Sequence, residues 1–292
     1  MASDAWFVSP WTELEPARGH LLLPGSGERG SRPLEVRSHH FPIGRSELLL
    51  EEYRTRDAGL FTPCLLVLHA DEVNARAAAL LTIAASGGRV LAVRGGRRNV
   101  SLRRADGTWR ADPNRIFTPR GRHRTLQELR PEVVMPPRRL LASLAELARA
   151  IVTLATFEAH GVPWLVAVHT NTPAGSFSIE RFLAAPETEN DPGILAGRAN
   201  PGLLPRSRGK DLCLTTSAEL FHRLTGRTNV VLQRTPLPHA LDDGSLSVWA
   251  GLHGRNYLNV ETEAPKYRLD REAVLRSRKL LDVALGVVRE GL

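Results

Sequence analysis

The chain alternates between short unbroken apolar runs and longer stretches in which apolar residues recur every three or four positions. The runs are "CLLVLH" (Cys64–His69), "RVLAVRG" (Arg89–Gly95), "WLVAVH" (Trp164–His169), "NVVLQR" (Asn229–Arg234) and "NYLNVETE" (Asn256–Glu263). Continuous apolar runs of strand length predict strands buried on both faces. The periodic stretches predict helices. They are "VNARAAALLTIAAS" stopped by Gly87-Gly88, "RRLLASLAELARAIVTLATFEAHG" ending at Gly161, the short "SAELFHRLTG" and "SLSVWAGLHG", and the closing "REAVLRSRKLLDVALGVVRE". Glycine just past the last periodic residue is a helix stop. Strand, helix and strand between Cys64 and Gly95 make a βαβ unit.

Other segments are less regular. Residues 1 to about 60 are rich in Pro, Gly and Ser and read as an irregular lead-in packed on a main domain of residues 61–292. A short strand or two is expected near Leu34–Phe41, and a helix at "SELLLEEYR". The polar stretch from Gly95 to Pro131 predicts a hairpin around Asp106-Gly107 and otherwise loops, as do residues 172 to about 210. A long loop in a compact domain is usually functional. The alternation of buried strands and helices predicts an α/β fold: a single domain with a mixed, mostly parallel central sheet and helices on both faces.

Composition narrows the function classes. The 292 residues carry a formal charge of +8, with 39 Lys and Arg of which three are lysine. The arginines are scattered, no recognition motif accompanies them and aromatics are 5%, which weighs against a nucleic-acid partner. Arginine also suits carboxylate recognition, because its planar fork binds two oxygens. No apolar stretch reaches the roughly 18 residues that span a bilayer, so no membrane partner is expected. The N-terminus "MASDAWFVSPW" lacks the basic start and apolar core of a signal peptide. That leaves a cytoplasmic protein, or an exported one whose leader has been removed. The two cysteines, Cys64 and Cys213, lie far apart and support neither a disulfide framework nor a structural zinc knot.

In open α/β sheets, sites form at the carboxyl ends of strands. The first run ends in His69, with Glu72 three residues on; "WLVAVH" ends in His169; the last run carries Glu261 and Glu263. Two histidines and a glutamate are a catalytic zinc set with a water in the fourth position, and a further carboxylate can act as general base. Singly, each has a plain alternative: a satisfied core or surface histidine, a polar turn, a solvated strand end. The loop between the ligand motifs holds "DPNRIF", in which Arg115 offers a bidentate ion pair to a substrate carboxylate and Asn114 a further donor. Its plain alternative is an Asx-Pro turn with exposed side chains.

With these four segments in order, "HADE", "DPNRIF", "VAVHTNT" and "NVETE", the chain resembles the zinc carboxypeptidase superfamily from about Cys64 to Glu263. The resemblance implies a carboxypeptidase-like fold with one zinc ion held by His69, Glu72 and His169. It implies a carboxylate clamp at Asn114 and Arg115, and a carbonyl-polarising arginine at Arg97 or Arg98. The general base would be Glu261 or Glu263, and Glu261 is preferred because it directly follows the apolar "YLNV". Carboxypeptidases proper carry a tyrosine on a mobile loop well before the final glutamate. Here "TPLPHALDDGSLSVW" has none, and Tyr257 is too close to the end. Asp242 and Asp243 in that stretch read as caps of the following helix, or as selectors of a cationic substrate. "HTNT" also resembles the deacylase branch that includes succinylglutamate desuccinylase and aspartoacylase.

The implied activity is therefore a zinc-dependent hydrolase, cleaving an amide bond next to a free carboxylate. The first choice is a metallocarboxypeptidase acting on a peptide, a cell-wall peptide among the options. The alternatives are a zinc N-acyl amino acid deacylase and a non-catalytic binding protein on the same fold.

Overall fold

The structure is a computed structural model that describes residues 34–290 apart from 44, 56–62, 96, 106, 129, 157–163, 185–193, 201–208 and 235–241. Its framework is a nine-stranded sheet of order β1-β2-β4-β3-β7-β11-β9-β10-β8. The central strands β4 (Arg89–Val93), β3 (Cys64–Val67), β7 (Leu165–Asn171) and β11 (Tyr257–Glu263) all run parallel. Antiparallel pairs lie to either side. On one flank are β1 (Leu34–Ile43) and β2 (Ser46–Thr55); on the other are β9 (Leu212–Thr215), β10 (Val230–Gln233) and β8 (Ile194–Gly197). The mixed, mostly parallel central sheet expected from the sequence is present. A separate two-stranded hairpin pairs β5 (Val100–Arg104) with β6 (Gly107–Ala111), at the turn expected there.

The apolar runs are strands because each side of the sheet has its own helical layer. In β3, Leu65 and Val67 enter one layer, while Cys64, Leu66 and the following Leu68 enter the other. The first layer is filled by α1 (Val73–Ser86), α5 (Ala218–Leu224) and α7 (Arg271–Glu290). The second is filled by α3 (Arg138–Thr156), whose Leu140, Leu144, Leu147 and Ile151 repeat at helical spacing, together with α2 (Pro119–Glu128) and α6 (Leu246–Leu252). Strand alternation then assigns faces. In β7 Val166 and Val168 point to the first layer and Leu165 and Ala167 to the second. His169 shares the second face. Both cysteines are core residues whose thiols burial pushes up to about 12, which makes them poor nucleophiles.

Several segments differ from expectation. "SELLLEEYR" forms the strand β2, not a helix. Leu and Glu favour helices, but pairing on both sides with β1 and β4 outweighs that preference. It also gives the buried Glu51 and Glu52 partners in Arg94 (2.8 Å) and Arg89 (3.2 Å). The stretch read as loop after "DPNRIF" contains α2. Its signal was present: Thr118 accepts a bond from the Gly121 N–H (3.0 Å) and Pro119 takes the first helical position. Only Gly121, Thr125 and Leu126 are buried in α2, too few for a visible apolar stripe. Two short elements, α4 (Ile179–Ala184) and β8, interrupt the loop-like region, and the four-residue β9 carries no pattern of its own. The expected helix end at Gly161 lies outside the described residues, as do residues 1–33 of the lead-in.

Candidate metal and substrate site

Adjacency of β3 and β7 brings the two strand-end histidines together. A turn after β3, closed by the Glu72 N–H donating to the His69 carbonyl (3.2 Å), points His69 and Glu72 the same way. The Glu72 carboxylate sits between two rings: Oε1 is 2.9 Å from His69 Nδ1 and Oε2 is 2.9 Å from His169 Nδ1. The ring centroids are 4.9 Å apart. All three side chains are buried, and one donor atom from each lies within 4.8 Å of the others. Two imidazole nitrogens and a carboxylate, with no apolar side chain among them, make a donor set that fits zinc.

The surroundings hold these donors in place. The Thr170 N–H donates to Glu72 Oε2 (3.1 Å). His69 Nε2 meets Asp112 Oδ1 at 2.8 Å, the carboxylate–histidine arrangement that orients a metal-binding ring. Burial by itself would lower the His69 pKa, but the charge of Glu72 and the hydrogen bond to Asp112 hold it up, at about 9. Burial would raise Glu72, and the two histidines instead keep it well below the usual carboxylate range. Arg98 closes the cluster: its Nε donates to Asp112 Oδ2 (3.1 Å) and its Nη1 to Glu72 Oε1 (3.3 Å). Arg97, one residue earlier, is exposed and lines no part of the site.

The register of β11 against β7 pairs Glu261 with His169. Tyr257, Asn259 and Glu261 alternate onto the same face and line one cavity with the donors. Asn259 Nδ2 donates to Glu261 Oε1 at 3.0 Å. Burial raises the Glu261 pKa, only partly offset by His169. Glu263 points to the same strand face but does not line the cavity; its N–H donates to Asp211 Oδ1 (2.7 Å) and its carbonyl accepts from Arg276 (2.7 Å).

The "DPNR" segment is both a turn and a cavity wall. Asp112 accepts from the N–H groups of Arg115 (backbone to backbone, 2.9 Å) and Asn114 (to Oδ1, 2.8 Å). Asn114 Oδ1 accepts from the Leu246 N–H (3.3 Å). Arg115 forms an ion pair with Asp243, 128 residues away in sequence. The helix cap expected at Asp242 or Asp243 is Ser245 instead. Asp242 and Asp243 turn the backbone into that cap by accepting from the N–H groups of Gly244 and Ser245, each at 2.9 Å. This loop is pressed onto α2 at Gly244, which has φ +80° and whose carbonyl accepts from the Phe117 N–H (3.0 Å). A Cβ on Gly244 would overlap the Gly121 Cα and the Arg115 carbonyl. Gly244→Ala is therefore expected to cost roughly 2–4 kcal/mol, from overpacking and a positive φ together. Thermal melts should fall by about 3–7 °C; an unchanged midpoint would mean that the loop moves freely.

The cavity has a volume of about 370 Å³. Away from the donors it becomes apolar, with Phe177, Phe182, Ile194 and Leu214 in its wall. Asn171 pins the loop bearing Phe177 by donating to the Phe177 carbonyl. None of the four motifs assigned a role to Asp112, which meets His69, or to the wall residues Tyr257, Asn259 and Gln233. Asp112 opens the quoted "DPNR" segment, and Tyr257 and Asn259 alternate with Glu261, so these three were within reach of pattern. Tyr257 reaches the cavity from the sheet. Gln233 ends the run "NVVLQR", but its neutral amide suggested no chemistry by itself.

The chain is similar, at low identity, to several solved structures. Succinylglutamate desuccinylase from Chromobacterium violaceum is 14% identical, with a TM-score of 0.36, over 90% of this chain and 70% of the other. An aspartoacylase family protein from Mesorhizobium loti is 12% identical, with a TM-score of 0.41, over 87% and 66%. A carboxypeptidase A candidate from Shewanella denitrificans is 11% identical, with a TM-score of 0.38, over 88% and 65%. No known sequence family matches the chain, and no curated protein does. Identity this low and overlap this partial leave the function to the side chains themselves. Among the described residues, no helix is long and apolar enough to cross a membrane.

Proposed function

We propose that the chain is a zinc-dependent hydrolase that cleaves an amide bond next to a free carboxylate. The observation that supports this most is the convergence on one cavity of His69, Glu72 and His169 with Glu261, Arg98 and Arg115. His69, Glu72 and His169 would hold the metal. When bound, zinc would supply a Lewis acid that polarises the scissile carbonyl and acidifies a water molecule. Asp112 and Thr170 keep the donors oriented. Asn114 and Arg115 bind the substrate carboxylate and so fix the scissile bond near Glu261. Glu261 takes a proton from the attacking water and returns it to the departing nitrogen. The raised pKa of Glu261 suits a base working near neutral pH. Arg98 presents its charge beside the metal donors, where the carbonyl oxygen becomes negative. Water adds to the carbonyl carbon, the C–N bond breaks, and a carboxylic acid and an amine leave.

Both a peptide with a free C-terminus and an N-acyl amino acid satisfy this chemistry. The test uses zinc-loaded protein with matched free-acid and C-terminally amidated substrates of both kinds. Free acids should be turned over and amides should not; equal turnover of the two would remove Arg115 from recognition. Arg115→Lys should lower kcat/KM by about 1.5–3 kcal/mol, the range for hydrogen bonds to charged groups, mostly through KM. The fork of Arg115 can hold Asp243 and a substrate carboxylate at once; a lysine loses that geometry. Metal-free preparations that still bind substrate but never hydrolyse it after zinc loading would favour the non-catalytic binding protein.

A further inference from the structure

We propose that the deep part of the cavity selects a substrate side chain bearing a neutral carboxamide, and that Gln233 and Asn259 recognise it. The inference rests on the amide-hydrolase reading for the word substrate, but its structural basis is separate. Gln233 Nε2 and Asn259 Oδ1 are buried polar atoms with no hydrogen-bond partner. Each belongs to a residue that is 7% exposed and lines the cavity. Buried polar groups are almost always paired, and leaving one unpaired is costly, so Gln233 Nε2 and Asn259 Oδ1, which share the cavity with the unpaired Nε2 of the proposed donor His169, point to a ligand.

Their chemistry specifies that ligand. Asn259 Nδ2 is committed to Glu261 Oε1, which leaves Oδ1 as the free end, an acceptor. Gln233 offers a donor. The sheet register aligns Asn259, Leu214 and Val231 across β11, β9 and β10, and Gln233 lies two residues beyond Val231 on the same face. An acceptor thus stands at one edge of an apolar floor, Leu214, and a donor at the other. Their backbones are two strands apart, about 10 Å across the sheet and about 7 Å along it. A carboxamide lying over Leu214 accepts from Gln233 through its oxygen and donates to Asn259 through its nitrogen. A carboxylate would set negative oxygen against Asn259 Oδ1 and the neighbouring Glu261. An ammonium would set its protons against the Gln233 donor. An aliphatic chain leaves both atoms unpaired.

The test is calorimetric binding to the full-length protein, which needs no turnover. The probes are N-acetyl-glutamine and N-acetyl-asparagine, as two side-chain lengths, against N-acetyl-glutamate, N-acetyl-aspartate and N-acetyl-leucine. One of the carboxamides should bind about 10–100-fold more tightly than the leucine and acidic ligands. Gln233→Leu should remove most of that preference and leave binding of the leucine ligand intact, with Gln233→Met as a second variant should the first not fold. Equal or tighter binding of the leucine or acidic ligands, no measurable binding of any probe, or an unaltered preference in both variants would overturn the proposal. Hydrolysis of free-acid amides without a carboxamide preference would overturn this inference and leave the proposed function standing. A carboxamide preference in calorimetry, with no hydrolysis of any amide by zinc-loaded protein, would uphold the subsite and remove the hydrolase reading.

Discussion

Glu261→Gln is expected to lower kcat by about 10²–10⁴-fold, the contribution of a positioned general base. Zinc content and KM should change little. The substitution keeps shape, and the new amide oxygen still accepts from Asn259 Nδ2 as Oε1 does now at 3.0 Å. What disappears is the capacity to take a proton. Glu261 neighbours His169 across the β7–β11 register and lines the cavity, whereas Glu263 is off it, with its backbone tied to Asp211 and Arg276. Glu263→Gln should therefore lose far less. Steady-state kinetics on the two variants, each with its zinc measured, decides between them. A dead Glu263→Gln beside an active Glu261→Gln would reverse the assignment; two fully active variants would remove the strand-end carboxylate from the chemistry.

A graded loss of zinc is the second large effect. His69→Ala and His169→Ala each remove a proposed donor and should weaken zinc binding by more than the roughly 10–100-fold that loss of an outer partner costs. Asp112→Ala removes no proposed donor but takes away the group 2.8 Å from His69 Nε2, together with the bonds from Arg98 and the Asn114 N–H, so its loss should fall within that range. Competition against a chelator of known affinity measures all three, and a melt of each variant checks that it is folded. Undiminished zinc in either histidine variant would sink the ligand assignment. A loss in Asp112→Ala as large as that in the histidine variants would make Asp112 a ligand.

Much of this architecture was legible in the order of residues. β3, β4, β7, β10 and β11 were visible because a strand covered on both faces must be apolar on both, and no alternation is needed to see it. α3 and α7 were visible because each is long enough for helical periodicity to accumulate, and α1 because an alanine-rich run too long for a strand stops at Gly87-Gly88. The candidate donors could be found for a related reason. His69 and Glu72 are three residues apart, and His169 ends an apolar run, so local spacing and strand ends were enough to nominate them.

Tertiary structure decided everything that depended on who lies beside whom. Ser46–Arg54 has the composition of a helix, and only a partner strand on each side makes it β2. Arg98 and Arg97 are adjacent in sequence and chemically identical, yet only Arg98 reaches Asp112 and Glu72. Glu261 and Glu263 share a strand face, and depth along β11, set by pairing with β7, separates them. Arg115 finds Asp243 across 128 residues, and Gln233 meets the cavity from two strands beyond Asn259. The physical reason is one of range. Apolar periodicity and backbone propensity act over a few neighbours and are written into the chain at that scale. The positions of charged and amide side chains follow from sheet register and loop packing, which are settled only when distant segments share one core.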